Sequence, residues 1–452
     1  MDLTTGRESK LILSFTIPLL IGNVFQQLYA IIDSVIVGHF IGKEGLAVIG
    51  AAFPVIFLLI SLVIGIASGS TIMIAQYFGA KDIKNIRRTI DTMYIFLFSM
   101  AIITSATGMY FSSDIFRILK LPPNLIPDAR LYLNVYLSGL IFFFGFNGNL
   151  AILRGLGDSK TPMFFLAIST LVNIGLDFLF VLVFKTGIVG IALATVIAQA
   201  GAFITSVIYL NRTHEIIHLS LKELIFDRKI FKTTLKIGIP SGLQQTFVAL
   251  GMMALIRIVN DFGTDAIAAY TVAGRIDSFA LLPAMNFSIA ISTFVGQNLG
   301  AGKVGRVKKG FLATWLMNSG ISLIVSIIVM LFGHQLMGAF TSDPEVILIG
   351  EQYLFIVGAF YILFSTMFIA NGVLRGAGDT LIPMFITLMG LWVIRIPVAY
   401  FLSRHIGING IWWGVPAAWF VGSVLSVAYY LGGRWKRKVI VKPPSFPIVI
   451  ED

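Results

Sequence analysis

Runs of about 20 or more overwhelmingly apolar residues recur from one end of this 452-residue chain to the other. A water-soluble core cannot enclose so many of them, whereas a helix crossing a bilayer needs about 20 such residues. Only 12% of the residues are charged and 57% are hydrophobic, and a soluble domain carries about twice that charge. The runs are continuous instead of alternating, which excludes the strands of a membrane barrel. The expected fold class is therefore an all-α polytopic membrane protein. Twelve spans are predicted at roughly 11–38, 46–79, 90–113, 129–153, 162–184, 188–210, 234–260, 266–299, 310–333, 348–373, 382–402 and 409–431. The first run is too long for a signal peptide and is read as a retained helix. Pro18 and Pro54 lie within spans and are natural kink sites.

The net charge of +11 is a topology signal. The termini and every second connection carry 24 Lys and Arg, and the alternate connections carry 6. By the positive-inside rule the richer side is cytoplasmic, so both termini are expected there, in the cell inner membrane. Sorting by loop leaves no basic stripe for nucleic acid, and none is expected to bind. The chain has no cysteine, which excludes disulfides and thiolate metal sites.

The stretch ILRGLGDSKTPMFF at 152–165 returns as VLRGAGDTLIPMFI at 373–386. TIPLLIG around Pro18 likewise matches GIPSGLQ around Pro240, and AQYFGAKD at 75–82 matches GQNLGAGK at 296–303. Two six-helix halves in parallel repeat follow, because an even number of spans returns the chain to its starting side. The expected divisions are an N-terminal lobe at 1–210, a linker at 211–233, a C-terminal lobe at 234–431 and a basic tail at 432–452, the lobes being pseudo-symmetric. The RG-x-GD segments lack a following Lys-Ser/Thr and a preceding strand, so they are not phosphate loops. Helix–helix turns fit them, with Gly ending one helix and Asp capping the next. No ATPase machinery is present, and no enzyme activity is expected. An ion gradient or the substrate itself must supply the energy.

Against this background, ionisable residues inside spans are informative, because an Asp at mid-membrane costs about 2.5–3.5 kcal/mol. Asn173 and Asp177 are four apart and share a helix face. Counting about 1.5 Å per residue, Asp33 lies about 8 Å, and Asp177 and Thr195 each about 10 Å, below the outer ends of the first, fifth and sixth spans. Two carboxylates, an amide oxygen and a hydroxyl are hard oxygen donors that suit Na⁺, with Asp33 and Asp177 as its ligands, or a proton held between the acids. The alternative is a set of satisfied polar groups between helices. Neither acid is duplicated: the equivalent positions hold Leu255 and Val398. In the second half Arg257, Arg275, Asp277 and Arg395 are the intramembrane ionisable residues, and an ion pair to another helix is expected for Arg275 and Asp277.

The segments TIPLLIG, LYAIIDSVIVGHFIG, AVIGAAFP, ILRGLGDSKTP, VNIGLDFLFV, GIVGIALATVIAQ and TFVGQNLGAGK resemble the MATE (multidrug and toxic compound extrusion) family over essentially the whole chain. The resemblance implies an antiporter that expels organic cations and amphipathic drugs in exchange for Na⁺ or H⁺, with no other cofactor. It also implies a cation site at Asp33, Asn173, Asp177 and Thr195, and in DinF-like members a network extended to Tyr132 and Asn147. Members of the NorM type carry an acid where this chain has Val248, which favours the DinF-like branch.

The expected function is thus cation-coupled export of cationic or amphipathic small molecules by alternating access, with Pro18 as the hinge. A monomer surrounded by membrane lipids is expected. The alternative within the same superfamily is a flippase or exporter of a lipid-linked or amphipathic metabolite. An acidic site argues against an anionic cargo of that kind.

Overall fold

The computed structural model describes residues 1–213, 219 and 224–441. Parts of the expected linker at 211–233 and of the tail at 432–452 therefore lie outside the described residues. Among the described residues every regular element is helical. Ten helices are long and apolar enough to cross a membrane, and two bent pairs bring the spans to twelve. We number them α1 (Glu8–Ile41), α2 (Lys43–Gly79), α3 (Ile83–Tyr110), α4 (Ile126–Ser138 with Leu140–Gly155), α5 (Lys160–Val183) and α6 (Ile188–Thr213). The second half follows as α7 (Arg228–Asn260), α8 (Thr264–Gly300), α9 (Val304–Gly338), α10 (Pro344–Gly358 with Tyr361–Gly376), α11 (Leu381–Ile406) and α12 (Ile408–Leu431). The bends are 48° in α4 and 50° in α10, so the repeat preserves even its broken helices.

Short polar signals start and stop these helices. Asp82 caps α3 by accepting from the Asn85 backbone N–H at 3.1 Å. After α4, Gly157 takes φ 80°. Asp158 then accepts from the Lys160 and Thr161 backbone N–H groups at 3.0 and 3.1 Å, starting α5 as a helix cap should. In the second RG-x-GD turn Gly378 has φ 93° and Asp379 accepts from the Tyr429 hydroxyl at 2.7 Å.

The chain divides into two compact units, one of Met1 with Ile17–Gly242 and the other of Asp2–Thr16 with Leu243–Asp452. In the second unit the opening segment is clamped by the loop and helix start at 297–306. Leu3 donates to Gln297 at 2.9 Å, Lys303 and Arg306 donate to the Thr4 and Gly6 carbonyls at 2.9 and 2.8 Å, and Arg306 pairs with Glu8 at 3.1 Å. The first unit holds the start of α7 in the same manner. Asp227 pairs with Arg88 at 3.4 Å, and its N–H donates to Thr92 at 3.0 Å.

Each unit has its own apolar core, that of the first including Tyr94, Phe116 and Phe144, and that of the second Trp412 and Tyr361. A buried amide–hydroxyl pair recurs in both: Asn149 donates to Ser206 at 2.5 Å, and Ser426 donates to Asn371 at 3.0 Å. In the first unit α2 and α7 approach through glycines. A Cβ on Gly65 would stand 2.3 Å from the Gly242 nitrogen, and one on Gly238 2.6 Å from the Ile66 Cα. Small residues four apart on each helix permit this backbone contact. Large apolar side chains face outward, Leu331 (69% exposed) and Phe401 (62%) among them, as lipid requires.

Candidate functional site

The fifth helix is built inside out. Apart from Pro162, its buried side chains within Lys160–Phe178 are all polar: Ser169, Thr170, Asn173 and Asp177. Ser169, Asn173 and Asp177 recur at a four-residue interval, which keeps them on one face of a helix. That face turns from lipid towards α6, where Ser169 reaches the Ala198 carbonyl at 3.5 Å. Asp177 is fully enclosed, at 0% exposure.

Around Asp177 the structure assembles groups from three helices of the amino-terminal unit. With its nitrogen turned to Asp177, the Asn173 amide donates to Oδ2 at 3.1 Å and accepts from the Thr195 backbone N–H at 3.1 Å. The carboxyl of Asp33, on α1, is an electrostatic neighbour of Asp177 and of Tyr29. The Tyr29 hydroxyl in turn meets the Thr195 hydroxyl at 3.0 Å, and Thr195 donates to the Ile191 carbonyl at 3.0 Å. Asp33, Asn173, Asp177 and Thr195 thus form one cluster.

Two features define its chemistry. Asp33 Oδ1 and Asp177 Oδ1 are buried with no protein donor. No ion pair among the described residues includes either aspartate. Two carboxyl groups facing each other without a Lys or Arg cannot both hold negative charge at low cost, so the arrangement favours a proton or a small cation between them. The donors are all oxygen, which suits Na⁺ as well as H⁺.

The two further residues implied by resemblance lie differently. Tyr132, on the first segment of α4, is buried and sits in the electrostatic neighbourhood of Asp33 and Asp177. Asn147 lies past the bend on the second segment and donates to the Phe143 carbonyl of its own helix at 2.8 Å. Pro18 is within α1 and Pro240 within α7.

Sequence reasoning missed Tyr29, although it precedes Asp33 by four residues and so had to share its face. It also missed that π-helical turns follow both acids, at Val37–Ile41 and Leu179–Val183. Such turns widen a helix by one residue and occur often at functional sites. In the carboxy-terminal unit the ion pair expected for Arg275 and Asp277 is not formed. Arg275 is exposed, while Tyr353 donates to Asp277 Oδ2 at 2.5 Å and Tyr361 donates to Oδ1. Two hydroxyl donors satisfy the buried carboxylate where a cation was expected.

Comparison with known proteins follows this geometry. A family model described as MatE matches residues 18–179 and again residues 240–401, so both matches begin at an equivalent proline of the repeat. The chain is similar to the "Probable multidrug resistance protein YpnP" of Bacillus subtilis (strain 168), 32% identical over 435 residues, which cover 96% of this chain and 97% of that protein. It is also similar to two solved structures at 25% identity over 96% of its length. One is titled "Crystal structure of MATE in the straight conformation" (TM-score 0.89, 97% of that chain) and the other "Crystal structure of MATE in the bent conformation" (TM-score 0.88, 96% of that chain).

Proposed function

This chain belongs to the MATE family of multidrug efflux transporters, and on that premise we propose that it exchanges H⁺ or Na⁺ for exported cationic and amphipathic molecules. The coupling ion binds between Asp33 and Asp177, with Asn173 and Thr195 completing the site and Tyr29 and Tyr132 lining it. The observation that carries this reading is the carboxyl pair itself, a fully buried Asp177 beside a half-buried Asp33, with no cationic partner among the described residues. Such a pair must take its positive charge from outside the protein, and it can take it from an ion or from a cationic drug. The two then compete, which is the logic of antiport.

Occupation of the pair changes what Asp33 can donate or accept, and with it the link through Tyr29 to Thr195. Pro18 lacks the N–H that would bond back into the preceding turn, so α1 bends there at lower cost than elsewhere. The straight and bent relatives support a change of shape in this fold. Both termini are assigned to the cytoplasmic side of the inner membrane on the charge asymmetry of the loops. One chain carries both repeats and is taken as the working unit.

Everted membrane vesicles containing the protein test the reading directly. A fluorescent organic cation such as ethidium should be taken up when a pH or a Na⁺ gradient is imposed, and each gradient is applied separately to identify the ion. Uptake indifferent to both gradients would overturn the proposal.

A further inference from the structure

The carboxy-terminal unit holds a partly open cavity of about 270 Å³ that the acid pair does not use. Tyr270, Phe364 and Trp419 supply aromatic wall, and Asp277, Tyr353 and Arg395 are its ionisable lining. The Phe364 and Trp419 rings are 5.2 Å apart, and Tyr270 and Tyr353 6.0 Å apart, so the wall is a packed aromatic surface. An apolar chamber with a few converging polar groups is the usual form of a small-molecule site.

The polar groups are unequally satisfied. Both oxygens of Asp277 already accept tyrosine hydroxyls. Arg395 is an electrostatic neighbour of Asp277, yet the two do not form an ion pair, and the buried Nε–H of Arg395 has no acceptor. Leaving such a donor unfilled costs free energy that an incoming acceptor recovers. The arginine also closes a π-helical turn, Met389–Arg395, which interrupts α11 beside the cavity.

We propose that this cavity binds an amphipathic monoanion, a flat aromatic body carrying one carboxylate directed at Arg395. The aromatic wall takes the body, and the guanidinium takes the carboxylate as a charge-assisted acceptor. Asp277, held nearby by its tyrosines, disfavours a second negative charge on the ligand. The site is independent of the cation pair and of its coupling role.

The test is equilibrium binding of 2-naphthoate and of the uncharged 2-naphthalenemethanol to the full chain in lipid nanodiscs, with empty nanodiscs subtracted. The acid should bind at least about tenfold more tightly than the alcohol, the scale of one hydrogen bond to a charged group. Arg395→Gln should bring the two within about twofold, while Arg395→Lys retains part of the preference. Gly274 lines the cavity, and a Cβ there meets nothing within 4 Å. Gly274→Leu should therefore fold, fill the space and abolish binding of both ligands. Equal binding of acid and alcohol by the wild-type chain overturns the proposal. So does a folded Arg395→Gln that keeps the preference, or a Gly274→Leu that still binds; if Arg395→Gln does not fold, the lysine and leucine variants decide.

Discussion

Replacing Asp177 by Asn isolates the charge of the acid pair from its shape. The amide is nearly isosteric with the carboxyl. It can keep an oxygen towards the Asn173 nitrogen, now at 3.1 Å from Oδ2, and turn its NH₂ towards the neighbouring Asp33 carboxyl. The variant should therefore fold, and it mimics a permanently protonated site. What it loses is one of two charges on the coupling ion. At a separation of about 4 Å and an effective dielectric of about 20, that charge is worth about 4 kcal/mol, or roughly a thousandfold in ion affinity. Reconstituted protein would be assayed for gradient-driven ethidium uptake and for thermal unfolding in detergent. The expected result is uptake reduced to the level of empty vesicles with an unfolding midpoint no lower than wild type. Gradient-driven uptake at the wild-type rate would refute the assignment, because an amide cannot exchange a proton or balance a cation.

Three further outcomes follow from individual contacts. Thr195→Val removes the hydroxyl that meets Tyr29 at 3.0 Å and should weaken half-saturation by the coupling ion about fivefold, or about 1 kcal/mol; unchanged ion dependence of uptake would exclude the hydroxyl from the site. Gly65→Ala places a methyl 2.3 Å from the Gly242 nitrogen and should cost about 1–3 kcal/mol of stability. Gly201→Ala, where a Cβ meets nothing within 4 Å, should instead gain about 0.5–1 kcal/mol, so equal unfolding midpoints for the two variants would contradict the close approach of α2 and α7. Asp227 accepts from the Ile230 and Lys229 backbone N–H groups and pairs with Arg88, which holds its carboxyl below the usual range. Its charged form therefore stabilises the fold above about pH 4 and is lost as pH falls through the lowered value; stability measured from pH 5 to pH 3 should fall less steeply in Asp227→Asn, and parallel curves would dismiss the contribution.

Much of the acid cluster could be read from residue spacing. Asn173 and Asp177 had to share a face, and Asp33 and Thr195 had to lie near the same depth, because helical rise and a fixed membrane thickness leave little freedom. Depth does not specify rotation about a helix axis, however. Asn147, implied by resemblance and not by depth, shows how rotation decides: its side chain is used on the carbonyl of Phe143, within its own helix. Asp277 shows it again, since a lone acid in a span demands partners but does not say whether they will be arginine or tyrosine. The π-helical turns at 37–41, 179–183 and 389–395 leave no mark in hydropathy, because one extra residue in a turn hardly alters an apolar average.

The sequence by itself determined twelve spans, a doubled six-helix plan and two unpaired acids near one level of the membrane. Those follow from a solvent that cannot hydrogen-bond, which imposes helix, length and a high cost for each charge. Tertiary structure alone decided that Asp2–Thr16 belongs to the compact unit of the second repeat, and that α7 as far as Gly242 belongs to that of the first. It alone brought Tyr29 to Thr195, turned the polar stripe of α5 inward and left the Arg395 Nε unfilled beside an aromatic cavity. Hydropathy is a property of consecutive residues, whereas these outcomes depend on which helix faces lie together, and that is settled by packing between segments distant in the chain.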